Sequence, residues 1–236
     1  MDASGYVTLS RQSGLLGQID AIANNIANAS TTGFKREGTL FAEYVSRTGD
    51  GPSLSMGFGN TRVVDLQQAG ISATGGSLDF AIEGDGFFLV QTPQGQQLTR
   101  AGSFTPGADG TLQTAEGYPV LDAGGSTIFI PPDARNIGVA EDGSISADGV
   151  PVSQLGLWAP TDPLTLTHQQ GTLFSASAYQ PADGGKIIQG HLEDSNVDPV
   201  SEVARMISVQ RAYELGQSFL DREDDRARTV IQTLGR

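Results

Sequence analysis

Apolar residues recur at helical spacing only near the two ends of the chain. Leu9, Leu16 and Ala23 stand seven apart, with Ile19 and Ile26 between them and Leu15 and Ile22 alongside. This pattern of i, i+3, i+4 and i+7 predicts an amphipathic helix over about 4–28. Asn28-Ala29-Ser30-Thr31-Thr32-Gly33 then supplies small polar residues and a glycine, which stop it. Near the other end Met206, Tyr213, Leu220, Ala227 and Leu234 form an unbroken seven-residue series, widened by Val203, Val209 and Val230. Asp198-Pro199 is a start signal, since aspartate caps free amides and proline is pre-shaped for the first turn, and Glu202 lies near the positive end of the dipole. A helix over 198–234 would be ~55 Å long at 1.5 Å per residue, longer than a small domain is wide. One reading packs each helix on the rest of the chain. The heptad spacing at both ends, and nowhere between, favours pairing of the two helices with each other and with copies from neighbouring subunits.

Between the ends the period shortens to that of β structure. Short runs such as Phe87-Phe88-Leu89-Val90, Ile128-Phe129-Ile130 and Gln154-Leu155-Gly156-Leu157-Trp158 are separated by turn residues. Within residues 66–190 Asp-Gly pairs begin at positions 85, 109, 142, 148 and 183, and Asp-Gly is a favoured two-residue hairpin turn because both positions accept positive φ. The expected fold class is α+β: terminal helices paired in a coiled-coil-like layer and a central antiparallel all-β domain, sandwich or barrel-like. The expected divisions are an N-terminal helix over 1–30, a linker or extended region over 31–65, the β domain over 66–190 and the long C-terminal helix over 191–236.

Charge sharpens this division. The 236 residues carry 14 basic and 27 acidic side chains, a net charge of −13. Residues 1–62 hold five of each sign, residues 63–190 hold three basic against thirteen acidic, and residues 191–236 hold six against nine. The acidity therefore belongs to the middle of the chain. It argues against nucleic acid as a partner, which requires a basic face to displace counterions. Glycine, with 31 residues, is densest in the same middle segment, as expected of many tight turns.

Candidate chemistry is sparse. The chain has no cysteine, which excludes disulfides, thiolate metal sites and cysteine nucleophiles. His168 and His191 lie 23 residues apart without a second ligand at helical or hairpin spacing, so a satisfied core or surface role is expected rather than a metal. Glu83-Gly84-Asp85-Gly86 resembles the start of a calcium loop, but Phe87-Phe88-Leu89-Val90 follow at once, where further ligands would be needed. The Asp-Gly pairs have no fixed period, which removes a calcium-binding repeat array. Phosphate-loop, dinucleotide and nucleophile-elbow motifs do not occur, and nothing singles out any carboxylate pair. No catalytic, cofactor or metal residue is expected. The longest apolar stretch is four residues, far short of a membrane span, and no basic region followed by an apolar block suggests a cleavable secretion signal. On the residues alone, an assembling structural protein stands against a Gly/Asp-rich extracellular β-domain enzyme or ligand-binding module.

The stretch Ala23-Asn24-Asn25-Ile26-Ala27-Asn28-Ala29-Ser30-Thr31-Thr32-Gly33-Phe34-Lys35 resembles the N-terminal signature of the flagellar rod, hook and hook-associated proteins. The likeness continues through Asp79–Phe88, Thr99–Phe104, Leu192–Val200 and Gln210–Glu214, in the same order along essentially the whole chain. It implies a structural subunit of the proximal rod of the flagellar basal body, with a distal rod subunit as the alternative. The implied partners are copies of itself, other proximal and distal rod proteins and the flagellar type III export apparatus, with peptidoglycan or ring proteins near the β domain. The implied location is the periplasmic rod, reached without a cleaved signal peptide, and no activity or cofactor is implied. The assembly residues expected on the first helix are Leu9, Leu16, Ile19, Ala23, Asn24, Asn25, Ile26 and Asn28, followed by Thr32, Gly33 and Phe34 in the turn beyond it. Those expected near the other end are Ser195, Asn196, Val197, Pro199, Met206, Val209, Arg211, Tyr213, Leu220, Val230 and Leu234. The asparagines have two possible uses, ending the helix or bonding to a neighbour, and helix capping is the expected one.

Overall fold

A computed structural model describes residues 3–46 and 54–234. Two helices bound the chain, α1 (Ala3–Ala27) and α2 (Pro199–Leu234), within a residue of the limits read from periodicity and stop signals. Among the described residues, the strand pairings between residues 71 and 193 are antiparallel, so the class is α+β. The chain divides into two compact units, one of residues 1–27, 37–63 and 198–236, the other of 28–36 and 64–197.

In the first unit Leu15, Ile22 and Val209 form a small buried cluster, with Ile19, Ile26, Met206, Ala212 and Tyr213 packed against it. The face of α1 that meets α2 is thus 15, 19, 22 and 26. Leu9, Leu16 and Ala23, one position over, are exposed. Gln12 ties the helices together by donating from Nε2 to the Tyr213 carbonyl at 2.9 Å. Gly216 makes room for that side chain, because a Cβ there would lie 2.2 Å from Gln12 Nε2. At the start of α2 Asp198 accepts from the Val200 amide at 3.2 Å and from the Ser201 hydroxyl. The segment read as linker or extended carries strands β1 (Glu37–Ser46) and β2 (Leu54–Val64), paired with each other.

The second unit is a set of small sheets. Strands β3 (Ile71–Ala73) and β4 (Phe80–Glu83) each form a two-stranded ladder with a segment from far along the chain, residues 191–193 and 186–189 respectively. Strands β5 (Phe88–Thr92) and β6 (Gly95–Thr99) form a hairpin that is extended by residues 173–175 and 167–168 into a four-stranded sheet. Phe88 and Val90 enter one core with Phe80, Ile82 and Phe104, while Phe87 and Leu89 enter another with Leu98, Leu121 and Phe174. Both faces are covered, so the run has no polar alternation.

The Asp-Gly pairs do not all make the expected two-residue hairpin. Asp148-Gly149 does: Ala147 pairs with Val150 across it, and both turn residues have positive φ, 49° and 82°. At Asp109 and Asp142 the aspartate instead accepts from the amide two residues on, Thr111 at 3.0 Å and Ser144 at 2.9 Å, while the glycine takes positive φ. Asp85-Gly86 and Asp183-Gly184 join strands that do not pair with each other. The dipeptide specifies a reversal, and the strand partners decide whether it becomes a hairpin.

Candidate functional site

Three of the stretches that carry the family resemblance meet inside the second unit. The first is the turn after α1, where Thr31-Thr32-Gly33 reverses the chain and sends Phe34 and Lys35 into the interior, both fully buried. Phe34 stacks on the His168 ring at 4.9 Å, and His168 Nε2 donates to the Lys35 carbonyl at 2.7 Å. His168 also lies 4.3 Å from the Phe174 ring, so this half-buried histidine sits between two buried aromatic rings. His191 donates from Nδ1 to the Gln189 carbonyl at 2.9 Å.

The second stretch ends β6 and delivers Arg100. The third is Glu193, at the end of the strand paired with β3. Glu193 Oε1 accepts from Lys35 Nζ at 2.6 Å and from the Ala69 amide at 3.0 Å, and its Oε2 accepts from Arg100 Nη1 at 3.1 Å. All three side chains are at most 4% exposed. A second Lys35 N–H donates to the Gln67 carbonyl at 2.8 Å, and Arg100 Nη2 donates to the Gly84 carbonyl at 2.8 Å. The guanidinium lies 5.2 Å over the Phe87 ring. Burial pulls Lys35 and Arg100 below their ordinary pKa values, and the Glu193 carboxylate opposes that shift in both.

Asn196 completes the junction. Its Oδ1 accepts from the Arg36 amide at 2.6 Å, and its Nδ2 donates to the carbonyls of Asp65 and Gln67, each at 3.0 Å. The Gly33 amide donates to the Glu193 carbonyl at 2.7 Å. Segments 33–36, 65–70 and 193–196 are thereby tied to one another by backbone, carboxamide and charge. Nothing in this arrangement presents a nucleophile or an acid–base pair to solvent. Its chemistry is that of a structural lock.

The first unit has a smaller junction at Asn25, which is fully buried. Its carboxamide pairs with both backbone groups of Glu37, donating to the carbonyl at 2.9 Å and accepting from the amide at 2.8 Å, and also donates to Glu202 Oε2 at 3.3 Å. Asn25 therefore joins the end of α1 to the starts of β1 and α2, rather than capping a helix. Asn28 serves the turn, its carbonyl and Oδ1 accepting from the Thr31 amide and hydroxyl. Asn25→Ala is expected to cost about 2–4 kcal/mol, because two buried backbone groups lose their partners. A drop in the midpoint of the helical circular-dichroism signal on heating measures it, and an unchanged midpoint counts against the assignment.

The other residues expected at interfaces are spread. Ile19, Ile26, Met206, Val209 and Tyr213 pack between α1 and α2. Leu9, Leu16, Ala23, Pro199, Arg211 and Val230 are exposed, while Asn24 and Leu220 are half-buried. Thr32 and Ser195 are half-buried and Val197 is buried in the second unit. The side chain of Leu234 lies outside those described. Lys35, Arg100 and Glu193 were not singled out from the sequence. The available signal was a charge of each sign set directly behind an apolar residue, in Phe34-Lys35 and Leu192-Glu193. Among the described residues no cluster of histidines and carboxylates could hold a metal ion, and no helix is long and apolar enough to cross a membrane.

Three family patterns match the chain in order. Residues 6–35 match the flagella basal body rod protein pattern, residues 81–147 the flagellar hook protein FlgE/F/G D1 domain, and residues 188–233 the flagellar basal body rod FlgEFG protein C-terminal pattern. Together they define a protein of the flagellar rod and hook class. The chain is 40% identical to the flagellar basal-body rod protein FlgF of Caulobacter vibrioides, covering 100% of this chain and 99% of that one. It is 37% identical to FlgF of Mesorhizobium japonicum with the same coverage, and 34% identical to the rod protein FlgG of Bacillus subtilis over 93% of this chain and 94% of that one. The chain belongs to the flagellar basal-body rod protein family.

Proposed function

We propose that this chain is a structural subunit of the proximal rod of the flagellar basal body, joined to its neighbours through its terminal helices in a hollow shaft that transmits torque. The observation that carries the reading is the likeness to FlgF at 40% identity, which covers 100% of this chain and 99% of that one. FlgG relatives align over a smaller share of the chain, which supports the proximal rather than the distal assignment. The helices support assembly physically. Once α1 and α2 have met, Leu9, Leu16, Val203, Ile207, Leu215, Phe219 and Val230 are still 38–70% exposed. Apolar rows of this kind on a helical pair call for further helices. In this reading the coiled-coil layer is completed between subunits, the protein is delivered by the flagellar export apparatus, and it works in the periplasm beside ring proteins or peptidoglycan.

Leu16→Asp tests the assignment. Leu16 is 46% exposed, so the substitution is expected to leave the folded chain nearly unchanged in stability. A strain carrying only this variant is expected to lose swimming and to yield basal bodies without a complete rod. Normal motility would rule out this face of α1 as an assembly surface.

A further inference from the structure

The buried ion cluster has a property that its bonds alone do not require. Lys35 and Arg100 are brought into one interior with a single carboxylate touching both, and that carboxylate lies 158 residues beyond Lys35 and 93 beyond Arg100. The other groups on the two cations are the carbonyls of Gln67, Ile82 and Gly84, which supply dipoles but no charge. Asp65 and Asp85 act on them only at longer range. Enclosing two cations before Glu193 arrives therefore carries a desolvation penalty that these carbonyls and the Phe87 ring offset in part, with no negative charge in contact. The strand order points the same way. The ladder partners of β3 and β4 are residues 191–193 and 186–189, so neither strand has its ladder until this one late segment, 186–193, is in place. Asn196 then seals Arg36, Asp65 and Gln67 together.

We propose that residues 186–197 are a closing latch for the second unit. Burial of Lys35 and Arg100, and with it completion of the fold, waits for Glu193, so a chain whose later part has not been delivered stays open. The inference depends on the charges and ladders of this unit and not on the assembly reading. The competing picture is a strap that docks on an already folded body. The two differ in the folding rate, because contacts formed in the rate-limiting step change refolding and contacts formed afterwards change unfolding.

The experiment is urea-jump refolding and unfolding of the dilute full chain, followed by the fluorescence of its one tryptophan, Trp158. The variants are Asn196→Ala and the milder Val197→Ala, with Val150→Ala at an exposed hairpin tip as the control. The latch predicts that Asn196→Ala refolds roughly tenfold more slowly while its unfolding rate changes by less than about twofold. Val197→Ala should divide its loss the same way, and it decides the matter if Asn196→Ala does not fold. A loss that falls mainly on the unfolding rate, with refolding as in the parent chain, overturns the proposal.

Discussion

Glu193→Gln is expected to destabilise the second unit by about 3–5 kcal/mol, the effect of removing one partner from a buried ion pair. Glutamine keeps the size and one acceptor oxygen, so the loss comes from charge rather than from a cavity. Lys35 Nζ at 2.6 Å and Arg100 Nη1 at 3.1 Å would both face a neutral amide. The backbone carbonyls around them would still accept hydrogen bonds, but they cannot balance a cation. A domain of this size is stable by only about 5–15 kcal/mol, so the variant forfeits a large fraction of that margin. Equilibrium urea unfolding monitored by Trp158 is the measurement. A midpoint within error of the parent would mean that the three charges are not held together as described.

Gly33→Ala is the second large effect, expected at about 3 kcal/mol or more. Gly33 has φ of +73°, where an L side chain is strained by about 1–3 kcal/mol. A Cβ there would also lie 2.3 Å from the Ala101 amide nitrogen and 2.5 Å from the Arg100 carbonyl carbon. Those are backbone atoms that cannot swing aside, and moving them would drag Arg100 away from Glu193. Gly75 provides the comparison, because it has the same φ of +73° and open space around its Cβ position. Gly75→Ala should show the backbone strain alone. If the two variants lose equal stability under urea, the close approach of Gly33 to residues 100 and 101 contributes nothing.

Much of this architecture was legible beforehand because it rests on local rules. The helix limits followed from Asn28–Gly33 and Asp198-Pro199, where stop and start chemistry is written within a few residues. The β character of the middle followed from turn residues and short apolar runs. The strand partners were not legible, because β3 and β4 pair with residues more than 100 positions away and nothing local specifies such a choice. The heptad pattern could not say which of two adjacent rows on α1 would meet α2. Leu15, Ile22 and Leu9, Leu16, Ala23 have equal spacing, and only the position of Val209 separates them. The ion cluster was hidden for a different reason. Charge counting treats Lys35, Arg100 and Glu193 as surface residues, as most lysines, arginines and glutamates are. Their burial depends on three distant segments arriving at one place. Asn25 likewise reads as a helix terminator by composition, and becomes a junction only because Glu37 presents its backbone to it.

The acidity of the middle segment has its own physical consequence. Asp65, Asp109, Asp122, Asp142, Asp148 and Asp162 all accept from backbone amides of nearby turns, so much of the negative charge is part of the loop construction. Hydrogen bonds from Thr111 hold the Asp109 carboxyl below its usual range, and those from Ser144 do the same for Asp142. A carboxyl depressed in this way favours the folded form above its unfolded value, and that contribution is lost as pH falls through the folded one. As pH falls, Asp109 and Asp142 therefore keep their charge, and with it the turns they shape, below the range in which a carboxyl of ordinary pKa is neutralised.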